Sequence, residues 1–106
     1  MGTYIPPVLP GDPSALRRAA RECRTAAASL KETTPKVAKA LTPSALGGPA
    51  APGLRTRLGD AADDLTRAAS QLEQAADALE QQATKIDRSI KAHDAAVARA
   101  QAEAGE

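Results

Sequence analysis

His93-Asp94 is the one place where this sequence sets an imidazole beside a carboxylate, and Arg17, Arg18, Arg21 and Arg24 form its densest cluster of cations. The first pair could ligate a metal or move a proton. A zinc site needs three or four ligands, however, and a covalent hydrolytic site needs a nucleophile beside its base. There is no second histidine, no phosphate-cradling Gly-rich loop, no Ser/His/Asp set and no zinc spacing. These absences argue against an enzyme and against a bound metal or cofactor. His93 reads instead as a partner-facing residue or part of a frayed helix end. The arginines could take a phosphate or an anionic lipid. No aromatic or Gly-rich element accompanies them, so they read as a solvated face that complements a neighbouring helix. Cys23 reads as buried packing, the usual place of a free cysteine, with a disulfide across a homodimer as the alternative. Tyr4 reads as a local anchor against a helix or as part of a loose tail.

The elements that position these residues are helical. The 106 residues include no Trp or Phe and one Tyr, so the large aromatic contribution to an ordinary core is missing. Ten Leu, three Ile and three Val are the apolar anchors among twenty-six Ala. Alanine favours helix but buries little area. No segment alternates β-branched or aromatic residues with polar ones. The net charge of +1 makes no case for nucleic acid. No apolar run reaches the roughly 18 residues of a membrane span, and the first residues lack the basic start and apolar run of a secretory signal.

Residues 1–11, with Pro6, Pro7 and Pro10, read as an extended tail. Asp12-Pro13 then reads as an N-cap followed by a first helical residue. Helix 1 is expected over about 13–41, a turn over 42–51 and helix 2 over about 52–102, so residues 12–103 make one helical hairpin. Pro35 predicts a kink, or two helical pieces meeting near Thr34. The seam of helix 1 is Leu16, Ala20, Cys23, Ala27, Leu30, Thr34, Val37 and Leu41. That of helix 2 sets Leu58, Leu65, Leu72, Leu79 and Ile86 against Ala62, Ala69, Ala76, Ala83, Ile90 and Val97. Both keep the seven-residue repeat of helix pairing. From Ser14 to Leu41 seven residues are basic and two acidic; from Gly53 to Asp87 four are basic and seven acidic. Opposite balances favour antiparallel pairing. Helix 2 is the longer arm, so Leu79, Ile86, Ile90 and Val97 are expected mostly in an overhang without an intrachain partner. A two-helix hairpin of this size is marginal alone. The fold class read from these patterns is all-α: an antiparallel helical hairpin with a long second helix, completing a four-helix bundle on dimerisation. The partner interface would comprise Leu16, Cys23, Leu30, Val37, Leu58, Leu65, Leu72, Leu79, Ile86, Ile90 and Val97.

Two stretches carry a family likeness. "LPGDPSAL", Leu9 to Leu16, and "LGGPAAPGLRTRLGD", Leu46 to Asp60, resemble the helix lead-in and the inter-helix turn of the WXG (ESAT-like) superfamily of type VII secretion substrates. The likeness is strongest to the actinobacterial branch related to the N-terminal helical secretion domains of toxins. It covers roughly residues 9–102. Leu46 takes the place of the family's Trp, Gly48 that of its Gly, and Leu54 that of the large apolar residue after the turn. The family's export signal, a Tyr followed four positions on by an acid, is matched in degenerate form by Ile90 and Asp94.

The resemblance implies a non-enzymatic helical hairpin that pairs with a WXG-like protein or with a toxin's N-terminal domain. It would act as substrate partner or targeting chaperone, made in the cytoplasm and exported by a type VII system without a cleavable signal peptide. Missing both the Trp and the Tyr, it suits the companion of a signal-bearing partner. The alternatives are a cytoplasmic homodimeric coiled-coil adaptor unrelated to secretion, and an anion- or membrane-binding helix pair that uses the helix 1 arginines.

Overall fold

A computed structural model describes residues 2–40 and 51–105. The expected turn, with Leu46 and Gly48, lies outside these residues. Two helices account for the regular structure described: α1, Pro13–Ala40, and α2, Ala51–Ala104. No strand occurs among the described residues.

Asp12 starts α1. Its carboxylate accepts a bond from Ser14 N–H at 2.9 Å, and its carbonyl accepts the first helical bond, from Leu16 N–H at 3.1 Å. Pro13 follows at the position where a missing N–H is harmless. A single helix runs through Pro35, rather than two pieces meeting near Thr34. Pro35 cannot supply an amide to the preceding turn. Around it, the hydroxyls of Thr33 and Thr34 donate to the carbonyls of Ser29 and Leu30 at 3.0 and 2.9 Å. At the far end of α2, Gly105 N–H donates to the carbonyl of Gln101 at 3.0 Å.

The chain divides into two compact units, Met1–Ala20 with Asp77–Glu106, and Arg21–Ala76. Each takes a part of both helices. Arg17 pairs with Asp87 in the first, and Lys31 pairs with Glu73 in the second. Within each unit one ion pair thus joins the two helices, as a helical hairpin requires.

The buried residues are nearly all alanine. In Arg21–Ala76 they are Ala27, Ala69 and Ala76; in the other unit they are Ala20, Ala83, Ile86 and Ala96. A side chain aimed at the neighbouring helix is enclosed only if the backbones can close over it. A methyl group permits that, and each contributes on the order of 0.8 kcal/mol on burial. The larger seam residues Leu16, Leu30, Val37, Leu58, Leu65, Leu72 and Leu79 are half-buried. They flank the alanine line, and two helices offer no third layer to cover them.

Two substitutions test this packing. Ala76→Leu should lower unfolding free energy by about 1–3 kcal/mol, because the closed seam has no room for three more carbons. Gly59 lies inside α2 with nothing within 4 Å of a Cβ built on it. Gly59→Ala should therefore raise stability by about 0.5–1 kcal/mol. Urea unfolding followed by circular dichroism at the helix band reads both.

Candidate partner interface

In Arg21–Ala76, α1 places Cys23, Leu30 and Val37 at seven-residue steps, all half-buried. In the same unit α2 places Leu58, Leu65 and Leu72 at the same step, also half-buried. The offset between this line and the buried one is equal on both helices. Cys23 precedes Ala27 by four residues, as Leu65 precedes Ala69 and Leu72 precedes Ala76. Antiparallel helices packed side by side are related by a two-fold axis normal to the plane that holds them. That operation keeps each side of the plane on the same side. An equal offset therefore sets both large-residue lines on one side of the pair, with the alanine contact between the helices. The unit thus carries one apolar face about seven residues in repeat, closed beneath by alanine and half-open above. Cys23 is a free thiol on this face. Leu54, at the start of α2, is 45% exposed.

In the other unit the expected interface residues are sorted differently. Leu16, Leu79, Ile90 and Val97 are half-buried, whereas Ile86 is closed off at 1% exposure. Arg17 pairs with Asp87 and Gly11 packs against Ile86, so neither Leu79 nor Ile86 lies in an uncovered overhang. The expectation of an uncovered second half of α2 is corrected in a further respect. The N-terminal tail lies along it. Leu9 N–H donates to Ser89 Oγ at 3.0 Å, and Thr3 Oγ1 donates to Glu103 Oε2 at 2.7 Å. His93 is neither frayed nor open: α2 continues to Ala104, and its Nδ1 lies 3.0 Å from the carbonyl oxygen of Pro6. That oxygen can only accept, so Nδ1 carries the proton. Tyr4 is 78% exposed and anchors nothing. Of the degenerate export-signal positions, Ile90 is half-buried and Asp94 exposed.

The basic and acidic balances of the two helices meet in the Arg17–Asp87 and Lys31–Glu73 pairs. Arg18 and Arg21 are exposed, and Arg24 is half-buried with a polar partner. No three His, Cys, Asp or Glu side chains among the described residues are placed to hold a metal ion. No helix among them is long and apolar enough to cross a membrane.

No family model, curated protein or solved structure matches the chain. The functional reading therefore rests on the chain's own residues and geometry.

The ion pairs are solvent-accessible, with side chains 37–61% exposed, so water and salt screen them. A double-mutant cycle on Lys31→Ala and Glu73→Ala should give a coupling below about 1 kcal/mol. Raising the salt from about 0.05 to 0.5 M should shrink it further.

Proposed function

We propose that this chain is a non-enzymatic, WXG-like helical hairpin that associates through its leucine-bearing face with a related helical protein or with a toxin's N-terminal helical domain. The complex is a four-helix bundle, in which two hairpins lay their half-covered faces together. It is presented to, or exported by, a type VII secretion system. The chain is made in the cytoplasm and acts as substrate partner or targeting chaperone.

One observation carries the reading. The half-buried Leu30 and Val37 of α1 and Leu58, Leu65 and Leu72 of α2 share one side of the helix pair at a seven-residue repeat. That arrangement is the seam a second helical hairpin fits, since heptad-spaced knobs seat between the residues of a facing helix. The lead-in and turn residues, Leu9–Leu16 and Leu46–Leu54, supply the likeness to the family. Leu at position 46 and Ile at position 90 depart from its aromatic marks and favour the companion role over that of signal bearer. The same departures keep a second reading in view, a homodimeric coiled-coil adaptor unrelated to secretion, which uses the same face with a second copy.

Leu72→Asp puts a charge in the middle of the face without touching the buried alanines. Leu72→Asp should abolish co-purification with whichever neighbouring gene's product the wild-type chain captures, while circular dichroism shows the helices intact. Capture undiminished by a folded Leu72→Asp chain would remove the face from the interface. Light scattering of the wild-type chain alone and with that neighbour separates the two readings. A mixed complex supports the companion role, and a homodimer indifferent to the neighbour supports the adaptor.

A further inference from the structure

Ala96 is 2% exposed although it lies beyond the reach of α1. Gly11 packs against Ile86 and Leu9 bonds to Ser89, so α1, which begins at Pro13, stops covering the antiparallel α2 near Ile86. Residues 3–11 lie over the helix beyond that point. Their contacts run in chain order: Leu9 on Ser89, Pro6 on His93, Thr3 on Glu103. Ile86, Ser89, His93 and Ala96 are spaced by three and four residues, so they share one face of α2. Ser89 both donates and accepts there, its hydroxyl donating to the carbonyl of Ile86 at 2.7 Å while accepting from Leu9.

The tail turns into α1 at Gly11. Its φ is +123°, a conformation open to glycine and strained for other residues. A Cβ there would stand 2.9 Å from Ile86 Cδ1. The positive φ therefore calls for glycine whatever the space, whereas the Ile86 methyl is the movable end of its side chain. Its grip is light. Tyr4, Ile5, Val8 and Leu9 remain 39–78% exposed, so little apolar area holds the segment down. Polar bonds hold it instead, and they sit at or near the surface.

We propose that residues 3–11 are a releasable strap, which shields the Ile86–Ser89–His93–Ala96 face in the single chain and yields that face to a second copy of the chain when it lifts. The inference rests on the reading of α2 as an association surface and adds control over its far end. A second copy fits the opened face. Across residues 80–103 the charges balance, with Lys85, Arg88, Lys91 and Arg99 against Glu80, Asp87, Asp94 and Glu103. Two such segments laid antiparallel meet no net repulsion.

The test compares the full wild-type chain with Gly11→Ala, which forces the strap off, and with a Ser89→Ala/His93→Ala double variant, which removes its anchors but keeps Gly11. Hydrogen exchange at the Leu9 amide reads the strap, light scattering over a concentration series reads self-association, and circular dichroism checks the helices. Both variants should exchange Leu9 at least about tenfold faster than wild type. They should also dimerise at concentrations about tenfold lower, and excess synthetic peptide of residues 2–11 should return Gly11→Ala, which keeps the Ser89 and His93 anchors, to monomer, but not the double variant. Wild-type exchange as fast as in the free peptide would overturn the strap. A freed strap with unchanged self-association would overturn its control of the face. Either failure leaves the Leu72→Asp capture result standing, because that residue belongs to the other unit.

Discussion

Alanine at the points where α1 and α2 meet governs how near the two backbones can come, and most other features of the molecule follow from that approach. Ala27, Ala69 and Ala76 in one unit and Ala20 and Ala83 in the other present only a methyl group to the opposite helix. The contact closes fully, yet each residue removes little area from water. Stability of this kind accumulates along the length of the seam rather than through its depth. The same closeness pushes the larger side chains out to one side. Leu65 and Leu72 are half-covered because the seam that buries their alanine neighbours leaves no space for them within it. An association face is thus a by-product of the way the hairpin closes.

Charge assists this arrangement without dictating it. The pairs Arg17–Asp87 and Lys31–Glu73 each join the two helices within their own unit, but both are open to solvent and screened by it. Sliding one helix by three or four residues would carry alanines off the contact and leucines into it. The pattern of methyl and isobutyl groups therefore fixes the register, and the ion pairs lie where that register puts them. Ile86 is the exception to the alanine rule, a large residue fully enclosed where α1 gives way to Gly11 and the tail.

The all-helical, two-helix character was legible in the sequence because it depends on local signals: an alanine-rich composition, a seven-residue repeat and an Asp-Pro start. Asp12 caps through its own carboxylate two residues on, a contact that sequence neighbours alone can make. The path of residues 3–11 was not legible. Its contacts join residues some 80 to 100 positions apart and use backbone groups of Leu9 and Pro6, which have no signature in residue type. One signal was available in retrospect. After Ile86 the leucine position passes to His93, while Ser89 and Ala96 stand off the leucine–alanine repeat, and a helix that changes its buried face has changed its neighbour. The one-sidedness of the leucine lines was also hidden in plain numbers, in the equal four-residue offset on two helices of opposite direction. Of the two outcomes Pro35 allowed, the break into two helical pieces does not occur, because the helix carries on through it.

Pro6, Pro7 and Pro10 give the tail a property that its contacts alone do not convey. Each ring fixes its own φ and narrows the choices of the residue before it, so the undocked segment already samples few shapes. Less conformational entropy is lost when such a segment settles on a helix. A handful of surface bonds can then hold it, and no helical turn has to melt for it to depart. Docking and departure of this segment should fall on the nanosecond-to-microsecond scale of terminal motions, far quicker than any unfolding of α2.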